Sequence, residues 1–157
     1  MKSLHLIIVS SAVARSGFPV SAHDCTLGSL KIGVPWARAT PPATPVGGSF
    51  LTVTNTGASA DRLVSATSSA ALQVEVHEMS MDGSIRRLRE LDYGGVSPPD
   101  ATVTLAPGGF HLMMIGLDEP LEEATGVPVT LIFENAGKLD VELQVMALSA
   151  SSDAHEH

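Results

Sequence analysis

Apolar residues in this chain recur mostly at every second position, in short runs bounded by Gly, Pro, Asn and Asp. A period of two places alternate side chains on opposite faces of a strand. Leu30, Ile32 and Val34 alternate until Pro35 breaks the run, and Trp36 reads as the core anchor of the Pro/Thr-rich loop that follows, Thr40 to Pro45. Gly47–Thr56 predicts a strand closed by the turn signal Asn55-Thr56-Gly57, and Arg62–Ala66 predicts a short one. In the next run Leu72, Val74 and Val76 share one face, while Gln73, Glu75, His77 and Met79 share the other. Asp82-Gly83 is the strongest hairpin signal in the chain. If those two residues form the turn, His77 lies opposite Leu88 and Met79 opposite Arg86. Val103 and Leu105 mark a further strand. After Pro107-Gly108-Gly109, the strand Phe110–Gly116 turns Phe110, Leu112 and Met114 to one face and His111 and Met113 to the other. Val127–Phe133 and Leu139–Val145 alternate on either side of Asn135-Ala136-Gly137, a third hairpin signal.

About eight short strands with regular turn signals predict an all-β chain, an antiparallel sandwich or barrel. The length of 157 residues fits one domain. Such a sheet packs one face and wets the other. Both His-x-Met triplets, His77/Met79 and His111/Met113, fall on the expected wet face, 34 positions apart. Each offers an imidazole beside a thioether. That donor set, with no thiolate or clustered carboxylates nearby, suits Cu(I) better than zinc, magnesium or calcium. Met commonly fills core gaps instead, and Met114 is expected to do so. Met81 flanks the turn and is the poorer candidate ligand.

Composition narrows the partners. Nine basic against seventeen acidic residues give a formal charge of −8, which disfavours nucleic acid and anionic membranes. The single Cys25 excludes an internal disulfide framework and a Cys-rich zinc site. A blue-copper electron-transfer centre needs a Cys with two His, and Cys25 lies far from both triplets in sequence. No Ser-His-Asp order, phosphate loop or paired carboxylates stand out, so the chain reads as a binding protein and not an enzyme.

Residues 1–22 read as a secretory signal, with Lys2, an apolar run Leu4–Val13 and the small-residue site Val20-Ser21-Ala22. Ala12-Val13-Ala14 is an alternative cleavage site that would leave a very short apolar region. Cleavage after Ala22 removes Lys2 and Arg15, leaving a charge of −10 and a folded domain over 23–148. No later run is long and apolar enough to span a membrane, so no membrane insertion is expected after cleavage. No small-residue lipid-attachment pattern directly precedes Cys25. His23 at the new terminus and His155 and His157 in a flexible tail, 149–157, could form a secondary Cu(II) site with nitrogen donors, or be solvated ends.

The residues also resemble the PCu(A)C family of periplasmic copper chaperones, between about His23 and Ala147. The likeness lies in L-G-S-L-K-I, P-W-A-R-A-T-P-P, G-G-S-F-L-T-V-T-N-T-G, D-R-L-V, V-E-V-H-E-M, P-G-G-F-H-L-M-M-I-G-L and V-P-V-T-L-I-F. The resemblance implies a cupredoxin-like β-fold and a periplasmic Cu(I) carrier. Its cargo would go towards the CuA centre of a respiratory oxidase, by way of an oxidase subunit or its assembly factors. The family's ligand pattern is His, ten residues, Met, about twenty-one residues, then His-x-Met. His77, His111 and Met113 match it. Leu88 stands where the first Met belongs, and the following spacer is one residue longer; Met79 is the nearest replacement. The alternative is a metal-free β-domain that acts through protein contacts.

Overall fold

Eleven strands and no helix form within residues 24–91 and 95–150, the portion that the computed structural model describes. In chain order they are β1 (Cys25–Leu27), β2 (Leu30–Arg38), β3 (Val46–Asn55), β4 (Asp61–Thr67), β5 (Ala71–Asp82) and β6 (Ile85–Glu90). Then come β7 (Gly95–Ser97), β8 (Ala101–Leu105), β9 (Phe110–Leu117), β10 (Gly126–Phe133) and β11 (Gly137–Met146). The order β2-β11-β10-β4-β5-β9-β3 is closed by pairing of β3 with β2, which makes a seven-stranded barrel. Its neighbours are antiparallel except β11 and β2, which run parallel. The short β1, β6, β7 and β8 attach to the barrel strands β2, β5, β4 and β3. No helix of the described residues could cross a membrane. The expected leader over 1–22, His23, and the His155/His157 end of the tail lie outside the described residues.

The interior follows the alternation. Leu30, Ile32, Leu51, Val53, Val76, Leu112, Met114, Leu131 and Leu143 are among its buried residues. Met114 is fully buried, as expected of a gap-filling side chain. Asp61 ties the β10–β11 turn to β4: its carboxylate accepts from the backbone N–H groups of Asn135 and Ala136 at 3.0 and 2.9 Å.

Several expectations need correcting. Pro35 does not end the first strand. The register between β2 and β3 shifts between Gly33 and Trp36, with Val34 at a φ of 46°, so a bulge absorbs the proline and the strand runs on to Arg38. Trp36 therefore lies within β2 and not in a loop. Leu72 was expected inside, yet it is 81% exposed, lying beyond the core cluster at the start of β5. Phe110 likewise is partly exposed. The hairpin after β5 is shifted by two residues from its expected pairing: Asp82 faces Ile85, Met79 faces Leu88 and His77 faces Glu90. Gly83 and Ser84 are the loop residues, with Gly83 at a φ of 64° in the first central position. That Gly-first arrangement belongs to a type II′ turn and spares Asp82 a left-handed backbone.

Candidate metal centre

Backbone register brings the two triplets together. β5 pairs with β9 so that His77 faces His111 directly, Glu75 faces Met113, and the Met79 N–H donates to the Gly109 carbonyl at 3.0 Å. The imidazole centroids are 5.9 Å apart. Directly paired residues share a face, so His77, Met79, His111 and Met113 all project from one side of adjacent strands.

Each imidazole is held through one nitrogen. His77 Nε2–H donates to Glu75 Oε2 at 2.7 Å, and His111 Nδ1–H donates to the Gly109 carbonyl at 3.0 Å. A carboxylate and a carbonyl only accept, so the proton sits on the nitrogen that meets each of them. The lone pairs are left at His77 Nδ1 and His111 Nε2. His77 Nδ1 is buried and has no hydrogen-bond partner. An imidazole with one N–H tied down and the other nitrogen open is how metal-binding histidines are arranged. The Gly109 carbonyl accepts from both the Met79 backbone and His111, which locks the His111 ring to the β5–β9 ladder.

The site is recessed, against the expectation of a wet sheet face. His111 is buried and only 12% of the His77 side chain is exposed. Cover comes from a row of rings across four strands. Trp36 on β2 packs on Phe50 of β3 at 4.5 Å, Phe50 lies 6.4 Å from His111 of β9, and His111 meets His77 of β5. Arg38 sits over the Phe50 ring at 5.7 Å.

A cleft beside the rings is lined by His111, Met113, Met79 and Met81 together with Arg38 and Arg86. Three thioethers and one imidazole thus line one cleft, with the second imidazole directly across the strand pair. Among the described residues no three His, Cys, Asp or Glu side chains cluster as a metal site, and the soft donors that share the imidazoles' strand face are the thioethers of Met79 and Met113. Neutral nitrogen and sulfur donors of this kind fit a soft monovalent ion and give a dication no charge compensation.

The structure thus brings together all four expected residues. Leu88 faces Met79 and not His77, is half exposed and does not line the cleft. Glu75 and Phe50 are not singled out by the sequence; Met81, the poorer candidate ligand there, lines the cleft with Met79. Glu75 had a signal, an acid two positions before a histidine on one strand face. Phe50 had none, because only the β3–β9 pairing brings it to His111. Cys25 heads β1 and pairs with Ile32, on a strand apart from this cluster.

A family model described as "Putative lipoprotein LpqE-like" matches residues 30–145. A putative lipoprotein of Leifsonia xyli subsp. xyli is 34% identical over 127 residues, covering 81% of this chain and 75% of the relative. Among solved structures, the copper-bound PCuAC domain from PmoF2 matches with a TM-score of 0.68 and 27% identity, over 80% of this chain and 98% of that domain. The Cu(I) form of DR1885 from Deinococcus radiodurans matches with a TM-score of 0.58 and 24% identity, over 82% of this chain and 83% of the other, a likeness of fold. The fold is thus the expected all-β, cupredoxin-like one.

Proposed function

We propose a function for a chain that belongs to the LpqE-like family of putative lipoproteins: it is an extracytoplasmic Cu(I) carrier without catalytic activity. His77 Nδ1, His111 Nε2, Met113 and Met79 hold the ion. One observation carries this reading: two imidazoles paired across β5 and β9, each anchored through one N–H, keep a second nitrogen free on the strand face that also bears Met79 and Met113. The fold shared with a copper-bound PCuAC domain supports copper as the ion. Neutral donors favour Cu(I) over divalent ions because no charge of theirs offsets a second positive charge. The ion is cargo, and its recipient by the PCu(A)C resemblance is the CuA centre of a respiratory oxidase, reached through a periplasmic encounter. Residues 1–22 serve as the export signal, 23–148 form the binding domain, and 149–157 form a tail whose His155 and His157 offer a secondary Cu(II) site.

Anaerobic titration with Cu(I) against a chromogenic chelator tests the assignment. The parent is expected to take up one tightly held equivalent. His111→Ala should lose more affinity than the roughly 10–100-fold that loss of a supporting hydrogen bond costs a metal site. Protons compete with the ion for the same lone pairs, so the parent's affinity should fall as the medium is acidified. Parental affinity in His111→Ala would show the site to be misplaced.

A further inference from the structure

The β5 face that carries His77 continues outward at every second residue. Glu75, His77, Met79 and Met81 form one column along the strand. Opposite them on β9 stand Met113 and His111, and then Gly109 in the turn that contains Pro107 and Gly108. Exposure rises outward along this column: the His77 side chain is 12% exposed, Met79 is half-buried, and Met81 is 61% exposed. Met81 nevertheless lines the same cleft as Met79, His111 and Met113. Gly108 lines the cleft with a φ of 86°, and a methyl group there would meet nothing within 4 Å, so the space beside this turn is open. Arg38 and Arg86 line the same cleft. Their guanidinium groups cannot ligate a metal and repel a cation, so an ion is disfavoured as a resident near them.

We propose that Met81 is a hand-over ligand, receiving Cu(I) from Met79 and presenting it to the acceptor at the cleft mouth. This rests on the Cu(I) reading above. Met81 lies two residues beyond Met79, about 7 Å along the strand, too far out to complete the inner site but placed for the next step. In that step the bond from copper to the Met79 sulfur breaks as the bond to the Met81 sulfur forms. Copper remains Cu(I), and no proton moves because a thioether carries none to lose. The acceptor's own donor atom then displaces Met81 at the exposed end of the column. The design resolves a conflict within the site. Recessed imidazoles hold the ion away from solvent, and an exposed thioether gives a partner something to reach.

The experiment compares the parent with Met81→Leu, whose exposed position makes the change safe for folding. Equilibrium Cu(I) affinity and the rate of transfer to a chromogenic Cu(I) chelator are both measured without oxygen. Met81→Leu is expected to keep its affinity within about threefold while transferring at least about fivefold more slowly, a change in rate without a matching change in equilibrium. In the parent labelled at the methionine methyl groups, substoichiometric Cu(I) should shift the Met79, Met113 and Met81 resonances in NMR spectra. Met114, fully buried in the core, should stay in place and serve as the internal control. Transfer at the parental rate, or an unmoved Met81 methyl, would overturn the proposal. A tenfold or greater loss of affinity would make Met81 a resting ligand and overturn the hand-over role as well. A parent that takes up no Cu(I) would overturn the underlying site reading too, and the titration alone would reveal that.

Discussion

Glu75 decides which nitrogen His77 offers. Its carboxylate accepts a hydrogen bond from Nε2–H, so the lone pair lies on Nδ1, the atom that is buried without a partner. On the proposed Cu(I) reading Glu75 is a positioning residue, with no bond of its own to the ion. Removing it frees the imidazole to rotate and change tautomer, and losses of this kind cost roughly 10–100-fold in metal affinity. Glu75→Ala is therefore expected to bind Cu(I) that much more weakly. Glu75→Gln keeps an oxygen acceptor for the Nε2–H and should restore most of the affinity. The same titration on both variants checks this, and equal losses in the two would mean that the carboxylate charge, not the hydrogen bond, matters. At this scale alternation alone puts His77 with Met79 and His111 with Met113 on one strand face each and marks Glu75 two positions before His77, whereas the Gly109 carbonyl that fixes His111 depends on strand pairing.

The β5–β6 hairpin shows what alternation can and cannot establish. A two-residue shift of register leaves every side chain on its original face, because strands repeat every two residues. His77 and Met79 therefore point where expected, although their partners changed to Glu90 and Leu88. The error came from the turn: Asp82-Gly83 matches the strongest hairpin pair, but the loop uses Gly83-Ser84. The bulge at Val34–Pro35 escaped detection for a related reason, since a proline inside a run reads as a break unless a bulge absorbs it. The observed register yields a specific expectation. Leu88 is directly across from Met79 and diagonal to His77, within reach of a long side chain. Leu88→Met should leave stability within about 0.5 kcal/mol, being half exposed, and tighten Cu(I) binding by about tenfold, roughly 1.4 kcal/mol. The gain should replace, not add to, the contribution of Met79, so Met79→Ala should matter less in the Leu88→Met background. Chelator competition on the four proteins of this cycle provides the check. Strict additivity would mean that the two thioethers do not share a position.

The whole barrel creates the site, which no single element contains. Closure through the β2–β3 pairing sets Trp36 beside Phe50, and the β3–β9 pairing carries that ring to His111. The fold class was legible because nearly every barrel strand alternates. Closure was not, because the parallel β2–β11 contact joins the two ends of the domain and leaves no local mark. Consequently the predicted wet face became a recessed one, with rings of other strands shielding the imidazoles from water. The proposed site holds a soft ion by nitrogen and sulfur, away from solvent and open at one end. X-ray absorption at the copper edge of the Cu(I)-loaded parent tests it most directly. Cu(I) bound by two imidazole nitrogens and two thioether sulfurs is expected, with one sulfur lost in Met113→Leu. A spectrum fitted by nitrogen and oxygen alone, unchanged in Met113→Leu, would contradict it.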